Sequence, residues 1–108
     1  MSLKWKDSVR FDHLHGAIVL ALIRAERIFD AEAGADCWLT SGNDSQHMDG
    51  SKHYDGRAVD LRVHNIASEA DRLLVFSRLK ASLGPQFTVL YEDPAGPNAH
   101  YHIQFNGL

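Results

Sequence analysis

Residues 99–105 read AHYHIQF, and polar and apolar side chains alternate strictly from His100 to Phe105. Because successive side chains of a strand point to opposite faces of its sheet, this alternation predicts a strand with two different faces. One face has two imidazoles and an amide, and the other has three large apolar side chains: His100, His102 and Gln104 against Tyr101, Ile103 and Phe105. A sheet with one apolar face needs helices on that face only, which is typical of an α+β fold.

Three further segments are predicted to be strands. Residues 57–63 alternate in the same way and place Asp60 on the polar side. Residues 37–40 and 87–91 are short runs rich in β-branched, aromatic and other apolar residues. The polar faces of segments 57–63 and 99–105 are therefore expected on the same open side of one sheet.

Two amphipathic helices are predicted to cover the other side. Apolar residues recur at steps of three and four over residues 11–29, with Ser8 as the expected N-cap and Gly34 as the end. A second apolar stripe covers residues 73–83 and follows an expected cap at Ser68. The predicted fold class is α+β, with two helices packed on one face of a small, mainly antiparallel sheet.

The composition limits the classes of protein and of site. A length of 108 residues suffices for one core, so residues 1–108 are predicted to be a single domain. A formal net charge of −3 gives no general attraction for nucleic acid or anionic lipid. The single Cys37 excludes an internal disulfide and a zinc site built mainly from thiolates. Seven histidines are the unusual feature.

No apolar run is long enough for a membrane span, and the N-terminus lacks the apolar run of a secretory signal. The longest mostly apolar stretch, residues 17–23, lies inside a helical pattern that Arg24 interrupts. We therefore expect a monomer that is cytoplasmic as synthesised and has neither a membrane nor a nucleic acid as its partner.

Imidazole and carboxylate groups collect on the open face of the predicted sheet. Asp60 lies on one strand and His100 and His102 on another, and His53 comes seven residues before Asp60. Two imidazole nitrogens and a carboxylate oxygen, with a fourth position open to water, form the ligand set of a catalytic zinc site. The same set serves iron in oxygenases, which stay a minor alternative, but nothing in the sequence indicates redox chemistry.

Two segments resemble a family of zinc peptidases. Residues 51–60, SKHYDGRAVD, fit the pattern Ser-x-His-x-x-Gly-x-Ala-x-Asp of the LAS-type peptidases, which include D-Ala-D-Ala carboxypeptidases and phage L-alanyl-D-glutamate endopeptidases. Residues 99–102, AHYH, are similar to the second motif of that family. Both segments resemble still more closely the signalling domain of hedgehog proteins, which shares this fold.

The resemblance implies both the ligands and the reaction. In the family the first His and the Asp of the pattern and the last His of the second motif bind zinc, which implies His53, Asp60 and His102 as ligands of Zn²⁺. The implied activity is hydrolysis of a peptide bond in bacterial peptidoglycan stem peptides by zinc-activated water, as a carboxypeptidase or an endopeptidase. Peptidoglycan is then the partner, and the chain resembles the catalytic domain of a phage or prophage endolysin that acts on the cell wall after release.

The resemblance also implies roles for residues around the ion. Glu92 is the implied general base, since Tyr-Glu precedes the His-x-His motif in hedgehog-like members. Many bacterial peptidases have their acid where this chain has Ala99, so Asp93 stays an alternative base. His100 is implied to stabilise the oxyanion. Three further residues are implied in substrate binding or in support of the ligands: His47, Ser51 and Arg57.

A non-catalytic protein is the main alternative function. A zinc-binding module of hedgehog-like fold would use the same ligands to bind a protein or cell-wall partner. The alanine at position 99 favours this alternative, whereas Glu92, His100 and the complete ligand set favour the enzyme. The choice of bond depends on the shape of the pocket and is left open by the motifs.

Overall fold

The computed structural model describes residues 2–9, 14–42 and 56–107, which contain five strands and two helices. In chain order these are β1 (Leu3–Trp5), α1 (Gly16–Ala33), β2 (Cys37–Ser41), β3 (Ala58–Arg62), α2 (Glu69–Leu83), β4 (Phe87–Glu92) and β5 (His100–Phe105). The strands form one sheet in the order β1-β2-β3-β5-β4, in which only the β1–β2 pairing is parallel. The predicted α+β class, with two helices packed on a mainly antiparallel sheet, is confirmed.

The strand β5 has the two faces that its alternation predicts. Tyr101, Ile103 and Phe105 are buried in the core, whereas the intervening polar residues are partly exposed. The ring of Tyr101 stacks on Phe76 of α2 and meets Phe29 of α1 edge-on. The inner strand β5 therefore joins both helices to the sheet through one aromatic side chain.

The buried side chain of Tyr101 forms a hydrogen bond with the backbone of α2. Its hydroxyl donates to the backbone oxygen of Arg72 at 2.6 Å, and burial raises the pKa of Tyr101 far above its usual value, which keeps it a donor. We expect Tyr101→Phe to lower the free energy of unfolding by about 1 kcal/mol, because the hydrogen bond to the Arg72 oxygen is lost. Urea unfolding measures this loss. Tyr91→Phe, which removes an exposed hydrogen bond to Glu69, is the control with a smaller expected loss, and a fully stable Tyr101→Phe would contradict the prediction.

Strand β1 was not predicted. It has three residues, Leu3–Trp5, and it is held by residues that lie far away in the chain. The Ser2 N–H donates to Asp36 Oδ1 at 3.0 Å, the Cys37 N–H donates to the Ser2 oxygen at 3.0 Å, and Lys4 Nζ lies 3.1 Å from Asp36 Oδ2. These long-range contacts leave no pattern in the local sequence.

The carboxylate of Asp36 makes this attachment depend on pH. The Ser2 N–H and then the Lys4 ammonium hold the pKa of Asp36 below its usual value of 3.8. A carboxyl whose pKa is lowered by folding stabilises the fold above its unfolded pKa, and this contribution is lost as the pH falls through the folded pKa. We expect Asp36→Asn to be less stable than the parent at pH 7, with a difference that shrinks below about pH 4. Denaturant unfolding at both pH values measures it, and identical curves at pH 7 would refute this role of Asp36.

The helix ends follow the sequence in part. The predicted N-cap of α1 at Ser8 is wrong: the cap is His15, whose Nδ1 accepts from the Ala17 N–H at 3.0 Å. The apolar stripe of the sequence continues upstream of the helix, and histidine is not among the preferred caps, so the later start was missed. The end at Gly34, which has a φ of 58°, and the cap at Ser68 are confirmed.

Among the described residues, neither helix is sufficiently long and apolar to cross a bilayer.

Candidate metal centre

The side chains on the open face form rows across β3, β5 and β4. The strand register gives two adjacent rows: Asp60, His102 and Leu90, then Arg62, His100 and Glu92. Residues from the two sequence motifs thus become direct neighbours, although they are about 40 positions apart. The even-numbered residues of β3 and β5 share this face, as their alternation predicts.

The carboxylate of Asp60 and the imidazole of His102 are in direct contact. Asp60 Oδ1 and His102 Nδ1 are 3.0 Å apart, and the two side chains are only 17% and 15% exposed. The hydrogen bond with Asp60 raises the pKa of His102, and burial opposes this effect. The other ring nitrogen, Nε2, lies 3.2 Å from Oε1 of Gln104. Both nitrogens of His102 are therefore oriented by neighbours on the same face.

The imidazole of His100 connects a loop carbonyl to two carboxylates. Its Nδ1 lies 2.6 Å from the backbone oxygen of Asn98, and because a carbonyl oxygen only accepts, Nδ1 donates in this hydrogen bond. Its Nε2 lies 3.0 Å from Glu92 Oε1 and 3.8 Å from Asp60 Oδ1. The Glu92 side chain is 45% exposed, so this carboxylate faces solvent beside the centre.

The donor atoms of Asp60 and His102 suit adjacent ligands of one zinc ion. At metal–ligand distances near 2.0–2.1 Å, two tetrahedral ligands lie about 3.3 Å apart, close to the 3.0 Å between these atoms. The third implied ligand, His53, lies outside the described residues. A different trio also lies within ligand distance, since one donor atom each of Asp60, Glu92 and His100 are all within 4.8 Å of one another. Asp60 belongs to both sets.

Arg57 lies apart from this group. Its Nη1 donates to the backbone oxygen of Gly107 at 2.7 Å, and its guanidinium lies 5.9 Å from the ring centroid of Phe105, a residue of the apolar face. The other two residues that the resemblance implied in substrate binding or support, His47 and Ser51, lie outside the described residues.

The alternative base, Asp93, is part of the turn after β4. It has a positive φ of 49°, and its Oδ2 accepts from the Asn98 N–H at 3.0 Å. This bond closes the loop that leads into β5 and places the Asn98 oxygen next to His100. Asp93 thus acts on the geometry of the loop, whereas Glu92 touches His100 itself.

A cleft of about 420 Å³ adjoins the centre, and Asp60 and His100 form part of its wall. Arg62 and Lys6 line the same cleft, and neither was predicted as a site residue. The observation that could have revealed Arg62 is its position two residues after Asp60, on the same face of an alternating strand.

The comparisons with known proteins add no identification: no family model matches the chain, and no curated protein matches it. The resemblance to zinc peptidases thus depends on the two sequence motifs.

Proposed function

We propose that this protein is a zinc-dependent peptidase that hydrolyses a peptide bond in peptidoglycan stem peptides. The observation that supports it best is the convergence of the two motifs on one open face. Asp60 and His102, 42 positions apart in the chain, bring their donor atoms to 3.0 Å. The carboxylate of Glu92 and the imidazole of His100, which a hydrolase needs beside its metal, lie in the next row.

Each group has a task in such a reaction. Asp60 and His102, together with His53, would hold the ion, which supplies a Lewis acid that polarises a carbonyl and makes water a stronger acid. The exposed carboxylate of Glu92 would take the proton of the attacking water and return it to the leaving amine. His100, held through Nδ1 by the Asn98 oxygen, would direct Nε2 towards the negative charge that develops on the carbonyl oxygen.

A non-catalytic zinc-binding module of the same fold is the second candidate function. One contact favours it, since the carboxylate of Glu92 is already hydrogen-bonded to His100 at 3.0 Å. A base that stays in this bond is less available to a water molecule. A module would then use the cleft beside the centre to bind a protein or cell-wall partner.

The zinc content of the purified protein tests the bound zinc ion that both candidate functions require. Elemental analysis is expected to give one zinc per chain after exposure to zinc and dialysis, and none after treatment with a chelator. A chain that retains no zinc would refute both candidates. If zinc is bound, the release of new amino groups from peptidoglycan separates the enzyme from the module.

A further inference from the structure

We propose that Arg62 and Lys6 form a carboxylate-binding subsite in the cleft beside the candidate metal centre. Arg62 would select peptides with a free carboxylate one or two residues beyond the bond that is cut. This inference rests on the proposed peptidase function and adds the substrate group that the cleft recognises.

The position of Arg62 relative to the centre supports this subsite. Arg62 follows Asp60 by two residues on the same face of β3, a separation of about 7 Å along the strand. In the register it lies directly opposite His100. A peptide whose scissile carbonyl lies at Asp60 and His100 would therefore bring its next one or two residues to the guanidinium.

Within the described part of the chain, Arg62 contacts an aromatic ring and not an acid. Its guanidinium carbon lies 4.8 Å from the ring centroid of Trp38, at cation–π distance. No ion pair of Arg62 is found among residues 2–9, 14–42 and 56–107. A guanidinium over an aromatic ring still has N–H donors for a planar acceptor, and a carboxylate can accept two of them at once.

Lys4 and Arg62 both approach the ring of Trp38, but they differ in their acidic partners. Nζ of Lys4 lies 5.7 Å from the ring centroid, but its charge is paired with Asp36 at 3.1 Å. Among the residues that the structure describes, Arg62 has the ring without an acid. We infer that its charge is available to a substrate anion.

Lys6 adds a second positive charge to the same cleft. Its backbone N–H donates to the Leu39 oxygen at 3.2 Å, which fixes the chain at the edge of β2, and its side chain is exposed. Across the cleft, His64 Nε2 lies 3.1 Å from the Pro97 oxygen, so the end of β3 contacts the loop before β5. The cleft thus has a catalytic end at Asp60 and His100 and a cationic region at Arg62 and Lys6.

Three synthetic peptides test the subsite with the zinc-loaded protein. The first is an N-acetylated stem peptide that ends in D-Ala-D-Ala and has free carboxylates, the second carries a C-terminal carboxamide, and the third is amidated at the α-carboxyl of D-Glu. We expect one amidation to lower kcat/KM by roughly 10- to 100-fold, mainly through KM, since a hydrogen-bonded charge is lost. The amidation that has this effect identifies the carboxylate that is bound.

Substitutions of Arg62 test whether this side chain causes the preference for a free carboxylate. Arg62→Gln is expected to hydrolyse the peptide with free carboxylates and both amidated peptides equally well. Arg62→Lys is expected to keep part of the preference for the free carboxylate, because it keeps the charge but loses the planar pair of N–H donors. Arg78→Gln is the matched control, since it makes the same change on α2 in an exposed pair with Glu32. Circular dichroism checks that each variant is folded.

Calorimetric titration of the three peptides separates a failure of the subsite from a failure of the proposed function. This measurement needs no turnover. The subsite is supported, even if no peptide is cleaved, when both Arg62→Gln and one of the amidations weaken binding. Equal binding of all three peptides, an absence of binding, or an unchanged preference in Arg62→Gln overturns the inference, even if the protein proves to be a peptidase.

Discussion

Glu92→Gln is expected to lower kcat on peptidoglycan by about 100- to 10,000-fold while the protein keeps one zinc per chain. Glutamine has nearly the same shape as glutamate and can still accept a hydrogen bond from His100, but it cannot take the proton of a water molecule. The side chain is 45% exposed, so the exchange leaves the core intact. Initial rates of amino-group release, with elemental analysis of the same sample, measure both parts of this prediction.

Other results for Glu92→Gln would change the assignment of the base or of the zinc ligands. Full activity in Glu92→Gln would refute the role of this residue as the base, and a loss of activity in Asp93→Asn instead would transfer the role to Asp93. Loss of zinc from Glu92→Gln would show that the ion is held by the other trio on this face, Asp60, Glu92 and His100.

His102→Ala is expected to weaken zinc binding by more than 100-fold and to abolish hydrolysis. The substitution removes a ligand whose Nδ1 lies 3.0 Å from Asp60 Oδ1. Loss of a residue that only supports a ligand typically costs 10- to 100-fold in metal affinity, so loss of the ligand itself should cost more. Competition with a chromogenic chelator measures the zinc affinity, and circular dichroism shows whether the metal-free variant is folded.

Gln104→Ala provides the graded control for His102→Ala. Gln104 lies on the same strand and contacts the other ring nitrogen of His102 at 3.2 Å, so its removal disturbs the orientation of the ring but removes no ligand. We expect a loss of zinc affinity of about 10- to 100-fold. A His102→Ala protein that binds zinc as well as the parent would rule out His102 as a ligand.

The fold could be predicted where local chemistry determines it. The alternation in β5 specifies which residues enter the core. Ser68 starts α2 through its own side chain, and Gly34 ends α1 through its backbone conformation. Strand β1 and the cap at His15 could not be found in this way. The strand depends on Asp36, which is distant in the sequence, and the cap on one ring nitrogen that takes the role of a carboxylate.

The candidate site could be predicted to the level of a shared face, but not of individual contacts. The alternation of side chains along each strand places Asp60, His100 and His102 on the same face. The register decides that Asp60 lies beside His102 and that Glu92 lies beside His100, and it depends on how β3 and β4 align with β5. The same register places Arg62 beside the centre, while the backbone oxygen of Gly107 holds Arg57 elsewhere.

Release of new amino groups from purified peptidoglycan is the most direct test of a zinc peptidase. The assay compares the zinc-loaded protein, the protein treated with a chelator, and the treated protein after zinc has been restored. We expect release by the first sample, none by the second and recovery in the third, with mass spectrometry of the fragments identifying the bond. A protein that binds one zinc but releases no amino groups would contradict the peptidase and leave the zinc-binding module.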